Sequence, residues 1–151
     1  MNMQTQHIEK FTVFGFKTRT KNQDEMAAET AKIGPLWQRF FAQAAPRLQP
    51  TSKVYGVYSG YESDFNGSFD VYAAANTLSA QDVAGLEAVE IQAGNYLVFS
   101  AEGELPQACI DLWGEVWRYF QSEEAQYQRA YTTDFEYYSG EQSISIYIAV
   151  K

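Results

Sequence analysis

The clearest periodic pattern in the chain lies in residues 106–120, PQACIDLWGEVWRYF. Apolar residues recur there at intervals of three and four positions, which is the spacing of one face of an α-helix. The proline at the start suits a first helical turn, where a missing N–H has no partner to lose. The apolar positions are Cys109, Leu112, Trp113, Val116, Trp117 and Phe120. This stretch therefore predicts a helix that buries a ring-rich face.

Part of the same pattern occurs 76 positions earlier in the chain. Residues 36–41 and 112–117 both begin with Leu-Trp, and a second ring follows four positions after the tryptophan, as Phe41 and as Trp117. A repeated supersecondary unit is the simplest source of such a shift. We therefore predict a single domain made of two similar halves, about 1–77 and 86–151.

Strand-like segments surround both helical patterns. They alternate in polarity, are rich in aromatic and β-branched residues, and are separated by turn residues. The predicted strands are 8–18, 53–61, 68–76, 86–99, 130–138 and 143–150, and residues 24–44 are predicted to be helical with a break at Gly34-Pro35. The predicted fold class is α+β: duplicated βαββ units form an antiparallel sheet with two helices on one face and a ligand groove between the halves.

The composition argues against several classes of function. With 19 Asp and Glu against 11 Lys and Arg, the formal net charge is -8. We predict no direct nucleic-acid binding, because this charge would be repelled by a phosphate backbone. Cys109 is the only cysteine and His7 the only histidine, so we predict no metal and no cofactor. No apolar run is as long as a membrane span, and we expect a cytoplasmic protein without membrane contact.

A strand-like run near the C-terminus, residues 133–138, alternates acidic and aromatic side chains. Strand geometry places Asp134, Glu136 and Tyr138 on one face. Alternation alone does not say whether that face lines the groove. A carboxylate among rings suits a lipophilic cation, since each ring face attracts a cation by about 0.5–2 kcal/mol. The competing interpretations are a solvent-exposed glutamate on an edge strand and helix tryptophans that serve only the core.

Several segments match a known pattern when they are taken in order along the chain. They are residues 33–40, 55–58, 93–99, 135–138 and 146–151. Together they resemble the effector-binding domain of the DNA-gyrase-inhibitor-like family, which is also attached to multidrug-responsive transcription regulators. Some stand-alone members are similar to products of mobile gene cassettes. The resemblance implies a pocket between the halves that binds flat, hydrophobic and often cationic compounds.

The resemblance also implies roles for individual residues. Glu136 would be the counter-charge, and Tyr138 and Tyr147 would flank it. The pocket walls would hold Tyr55, Trp37, Trp113 and Trp117. The chain departs from the family at Ala149, where proline is common, and at Ser145, where some members carry a second acid. The second departure implies a pocket with a single acid.

Three functions follow as hypotheses. The leading hypothesis is binding of cationic, amphipathic or aromatic small molecules for sensing or sequestration. Sensing would involve an unidentified regulator protein as partner. This hypothesis assigns no catalytic residue. The first alternative is hydrolysis of strained electrophilic toxins, with Glu136 as general base and Tyr138 or Tyr147 as proton donor. The second is an inhibitor that docks on gyrase through its negative surface, although the acids are scattered along the chain.

Overall fold

The computed structural model of the protein describes residues 3–64, 66–123 and 125–151. The predicted repeats also include residues 1, 2, 65 and 124, which lie outside the described residues. The strands are β1 (Met3–Ile8), β2 (Phe11–Lys21), β3 (Val54–Ser59), β4 (Ser68–Ala75), β5 (Glu87–Ile91), β6 (Gly94–Glu102), β7 (Arg129–Gly140) and β8 (Ser143–Val150). The helices are α1 (Asn22–Glu25), α2 (Ile33–Arg39) and α3 (Gln107–Gln121); α2 continues through a π-helical turn, Phe40–Ala44, and a 3-10 turn, Ala45–Arg47.

These strands form one antiparallel sheet in the order β1-β6-β8-β7-β3-β4-β2-β5. The first half supplies β2, α2, β3 and β4, and the second half supplies β6, α3, β7 and β8 in the same order. The two halves join along β3 and β7, where Val57 opposes Phe135. The predicted α+β class is confirmed, as a curled antiparallel sheet with few helices.

The strand that precedes each half pairs with the other half. β1 pairs with β6, and β5 pairs with β2. Ile8 opposes Gly94 and Phe11 opposes Ile91, so the register continues unbroken across both two-residue connections. This crossing ladder joins the two ends of the sheet, which curls as a half-barrel.

The sheet buries side chains on both faces. On the helix face, Leu36 of α2 and Leu112 of α3 are both buried, as their equivalent places in the repeat predict. On the opposite face, curling brings β2 near β7 although β4 and β3 lie between them in the sheet order. The ring centroids of Phe11 and Phe135 are 5.8 Å apart there. Successive residues on a strand face opposite sides of the sheet, so they pack into two different cores.

The helical region of the first half differs from the prediction. The predicted break at Gly34-Pro35 is wrong, because α2 begins at Ile33 and Pro35 lies in its first turn, where no N–H is needed. The break lies earlier, at residues 26–32. The carboxylate of Glu25 accepts the N–H groups of Lys32 (2.8 Å) and Ile33 (3.1 Å), which fixes the start of the helix.

Two further details were not predicted. The strand expected at 8–18 is two strands, and β1, which is polar and largely exposed, was missed. Phe41 was expected on the apolar face of the helix, but it is 62% exposed. It follows Phe40 in a π-helical turn, and it is Phe40 that points into the core.

The helices in the described ranges are short. α3 has 15 residues, and none of the helices is long and apolar enough to cross a membrane. The same part of the chain contains no group of three or more His, Cys, Asp or Glu side chains that could hold a metal ion.

Candidate ligand-binding site

Glu136 lies on the helix face of the sheet. On β7 it opposes Gly56 of β3 on one side and Ile146 of β8 on the other. Its side chain is almost entirely buried, with the residue 2% exposed. A Cβ added at Gly56 would come within 3.0 Å of Glu136 Oε1, closer than Cβ atoms come in real structures. The missing side chain of Gly56 therefore provides the space that the carboxylate fills.

Four side chains donate hydrogen bonds to this carboxylate. The Tyr58 hydroxyl and the Trp113 Nε1 donate to Oε2 at 2.8 Å and 2.6 Å, and the Tyr138 hydroxyl donates to Oε1 at 2.7 Å. The Sγ atom of Cys109 is 3.5 Å from Oε2. Both carboxylate oxygens are therefore held by donors from β3, β7 and α3.

Four aromatic side chains surround these contacts. The ring of Trp37 lies 5.4 Å from that of Tyr138, and the ring of Tyr58 lies 5.3 Å from that of Trp113. A Cβ at Gly56 would lie 3.2 Å from Trp37 Cζ2, so this indole also borders the carboxylate. We call Trp37, Tyr58, Trp113 and Tyr138 the Glu136 cage. The two tryptophans at equivalent places in the repeat thus meet at one acid.

Among the described residues, no positive side chain pairs with Glu136. Within the part of the chain that the structure describes, the ion pairs involve Glu9, Asp70 and Asp134, and none involves Glu136. Burying an ion costs several kcal/mol, and hydrogen bonds to a charged group, at about 1.5–3 kcal/mol each, offset a large part of that cost. The cage therefore holds a carboxylate that has hydrogen-bond donors but no cationic partner among the described residues.

The electrostatics of the cage keep its donors protonated. Burial and the negative charge of Glu136 raise the pKa of the Tyr58 hydroxyl well above its usual value. The same two causes, in the same order, raise the pKa of the Tyr138 hydroxyl and the pKa of the Cys109 thiol. All three groups consequently carry their protons at neutral pH and can donate to the carboxylate.

A second buried acid, Asp134, lies two residues before Glu136 on the same face of β7. It is 0% exposed. The Arg129 Nη2 lies 2.7 Å from its Oδ2, the Ala149 N–H donates to Oδ1 at 2.8 Å, and the Tyr61 hydroxyl donates to Oδ2. Asp134 is thus paired with a cation, whereas Glu136 has no such partner in the part of the chain that the structure describes.

A cleft of about 200 Å³ lies between the two halves. The first half contributes Tyr58, Tyr61 and Phe69, and the second half contributes Trp113, Trp117 and Arg129. Glu136 does not line this cleft. The rings of Tyr58 and Trp113, which donate hydrogen bonds to Glu136, line it instead. The cleft therefore reaches the cage but is separated from the carboxylate by two rings.

The structure brings most of the predicted site residues together. Glu136, Tyr138, Trp37 and Trp113 meet in the cage, and Trp117 lines the cleft. Glu136 is buried, so the alternative of a solvent-exposed edge residue is wrong.

Two predicted residues, Tyr55 and Tyr147, lie elsewhere, on the opposite face of the sheet. Tyr147 opposes Phe135 on the neighbouring strand, and their rings stack 4.4 Å apart. Tyr55 stacks on Tyr137 at 5.3 Å. Tyr55 is next to Gly56, and Tyr147 is next to Ile146, the two residues that oppose Glu136. Because side chains alternate between faces along a strand, both tyrosines point away from the cage.

Sequence analysis missed Tyr58, Gly56 and the pair of Arg129 with Asp134. Tyr58 lies two positions after Gly56, so alternation puts both on one face. That signal becomes useful only once β3 is known to pair with β7.

Comparisons with known proteins identify the family and the fold of the chain. A family model described as Cass2, integron-associated effector binding protein, matches residues 6–150. The integron cassette protein VCH_CASS2, from the mobile metagenome of Vibrio cholerae, is 51% identical, has a TM-score of 0.95, and the match covers 99% of this chain and 95% of that one. The Bacillus subtilis (strain 168) protein named "Putative transcriptional regulator protein YobU" is 25% identical over 158 residues, which are 96% of this chain and 95% of YobU.

A third relative was solved with a ligand. The protein SAV2435, bound to tetraphenylphosphonium, has a TM-score of 0.74 at 23% identity, with 100% of this chain and 94% of that chain covered. At this identity the likeness shows a shared fold. The predicted resemblance to effector-binding domains is confirmed by the family match, which spans nearly the whole sequence. The chain belongs to the Cass2 family of integron-associated effector-binding proteins, which is related to transcription regulators.

Proposed function

We propose that the protein binds organic cations that carry aromatic or apolar groups, and that Glu136 supplies the counter-charge. One observation carries this proposal: Glu136 is 2% exposed as a residue, and its carboxylate lies among four aromatic side chains and forms no ion pair in the described residues. A cation would gain both from the charge and from the ring faces, each worth about 0.5–2 kcal/mol.

The ligand enters through the cleft between the halves. Binding pockets for small molecules usually hold about 300–1,000 Å³, which is more than the 200 Å³ of this cleft. Tyr58 and Trp113 separate the cleft from Glu136, so binding moves one or both rings aside. The bound cation then replaces their hydrogen bonds to the carboxylate.

The ligand of SAV2435 supports the choice of ligand class. Tetraphenylphosphonium combines one positive charge with aromatic groups, the two properties that the Glu136 cage would recognise. Such binding would serve sensing or sequestration of the effector. A sensing role requires a separate regulator protein as partner, because the net charge of -8 disfavours direct contact with DNA.

Tryptophan fluorescence titration with tetraphenylphosphonium tests the proposal. Glu136→Gln keeps the shape of the side chain and removes its charge, so the affinity should fall more than about tenfold, or 1.4 kcal/mol. Glu123→Gln, the same change at an exposed position, should leave affinity unchanged. Neutral triphenylphosphine oxide should bind both variants and the wild type alike. Equal affinities of the wild type and Glu136→Gln for the cation would remove the electrostatic argument.

A second candidate function is hydrolysis of a strained electrophile such as an epoxide, favoured by the 2.7 Å contact between Tyr138 and Glu136. Glu136 would take a proton from water as the water oxygen attacks a ring carbon. The C–O bond would break, Tyr138 would protonate the leaving oxygen, and the proton on Glu136 would return to Tyr138. Turnover of styrene oxide that is abolished in Glu136→Gln would support this function; no turnover above the uncatalysed rate would exclude it for epoxides.

A further inference from the structure

We propose that Arg129 limits the binding site to ligands with a single positive charge. This inference rests on the proposed function. Glu136 and Asp134 are both buried on one face of β7, and of the two only Asp134 has a cationic partner within the described ranges. The two carboxylates and the Arg129 guanidinium together leave a net charge of −1. Arg129 would therefore be a specificity-determining residue for the number of charges on the ligand.

The contact between Arg129 and Asp134 depends on an irregularity in β7. The two residues are five positions apart, and in a regular strand such residues point to opposite faces. The register of β7 against β8 shifts between them, and Tyr131 has a φ of 54°, a left-handed conformation that is uncommon for a non-glycine residue. The guanidinium lies 4.5 Å from the centre of the Tyr131 ring. The backbone irregularity thus turns Arg129 onto the face of Asp134.

The cleft reaches the partners of both acids. It is lined by Tyr58 and Trp113, which donate to Glu136, and by Tyr61 and Arg129, which donate to Asp134. Two residues along a strand span about 7 Å. A ligand that places one charge at Glu136 and extends along β7 would therefore bring its far end to the guanidinium. A second positive charge would be repelled there, whereas a neutral end would be tolerated.

One more acid, Glu25, borders the cleft, but its oxygens are engaged. Oε2 accepts from the Thr20 hydroxyl at 2.6 Å and from the Lys32 N–H at 2.8 Å, and Oε1 accepts from the Ile33 N–H. Glu25 is also partly exposed, so water screens its charge. It therefore offers a second cation much less than an unpaired buried acid would.

Two probes of nearly the same shape test the inference. N-methyl-4-phenylpyridinium carries one charge, and N,N′-dimethyl-4,4′-bipyridinium carries two, at opposite ends of the same pair of rings. The wild type should bind the monocation at least about tenfold more tightly than the dication. In Arg129→Gln, Asp134 becomes a second free anion, and the ratio of the two affinities should move at least about tenfold toward the dication.

The double variant Arg129→Gln/Asp134→Asn is the matched control. It removes both charges of the pair and restores a net charge of −1, so the preference for the monocation should return. If Arg129→Gln acted only by enlarging the cleft, the double variant would still accept the dication, and the inference would fail. If Arg129→Gln does not fold, the wild type and the double variant remain decisive, since a dication that binds either of them as tightly as the monocation overturns the inference.

A Glu136→Gln titration with the monocation separates the two proposals. An unchanged affinity would reject the proposed function itself. A monocation affinity that falls in Glu136→Gln, together with a ratio that does not move in Arg129→Gln, would reject the charge limit alone.

Discussion

Replacing Gly56 by alanine should weaken both folding and cation binding. The new Cβ would lie within 3.0 Å of Glu136 Oε1 and 3.2 Å from Trp37 Cζ2. The carboxylate cannot move freely, because Tyr138, Tyr58 and Trp113 donate to it at 2.7, 2.8 and 2.6 Å. The substitution therefore forces the acid away from at least one of its donors.

The expected size of the effect combines two opposing contributions. Overpacking a buried site costs about 1–3 kcal/mol. Replacing a strand glycine by alanine regains about 0.5–1 kcal/mol, because the unfolded chain loses freedom. The difference runs from about 0 to 2.5 kcal/mol, and its midpoint, about 1.3 kcal/mol off the free energy of unfolding, is a Tm decrease of about 3–5 °C for a chain of this size.

Chemical denaturation, followed by tryptophan fluorescence, measures this change. Gly140→Ala is the matched control, because a Cβ at this exposed strand glycine would make only ordinary contacts, 3.8 and 3.9 Å from Ser143, and its stability should equal or slightly exceed that of the wild type. Combining Gly56→Ala with Glu136→Asp, which shortens the acid by one methylene, should recover part of the loss. A Gly56→Ala variant as stable as the wild type, with unchanged cation affinity, would refute the packing of Glu136 against this strand.

Two further predictions concern titration and reactivity. Burial, and then the charge of Glu136, raise the pKa of the Cys109 thiol. The folded protein should therefore react with iodoacetamide at pH 8 far more slowly than the protein unfolded in guanidinium. Equal reaction rates would show that the thiol is accessible in the folded protein. Because the pKa values of Tyr58 and Tyr138 are raised on folding, the folded state keeps their protons; their contribution to stability should be full below pH about 10 and should be lost as the pH rises further. Absorbance at 295 nm should then show these phenols ionising only with unfolding, and ionisation of every tyrosine in the folded protein would contradict the buried hydrogen bonds.

Local patterns in the sequence predicted the elements that depend on local physics. The periodicity around Leu112 and Trp113 identified α3, because a helix face repeats within a few residues. Alternation placed Glu136 and Tyr138 on one face of β7, which the contact between them bears out. The repeat located Trp37 as the counterpart of Trp113, and both indoles border the same acid.

Pairings between distant strands were beyond these patterns. Tyr58 joins the cage only because β3 lies beside β7, and no local sequence pattern predicts that these two strands pair. Alternation gives relative faces, so it could not show that Glu136 shares its face with Ile146 while Tyr147 faces the other core. Arg129 carried no signal at all, since its position depends on an irregular stretch of β7.

The crossing ladder of β1 and β2 with β5 and β6 constrains how the molecule can make room for a guest. Each half is hydrogen-bonded to the leading strand of the other, in addition to the seam between β3 and β7. A hinge motion that separates the halves would break the hydrogen bonds of both ladders along their length. The frame is thus rigid, and adaptability must come from rings and helix turns mounted on it. Such a receptor would accommodate varied molecules by moving side chains and helix turns while the backbone of the sheet keeps its shape.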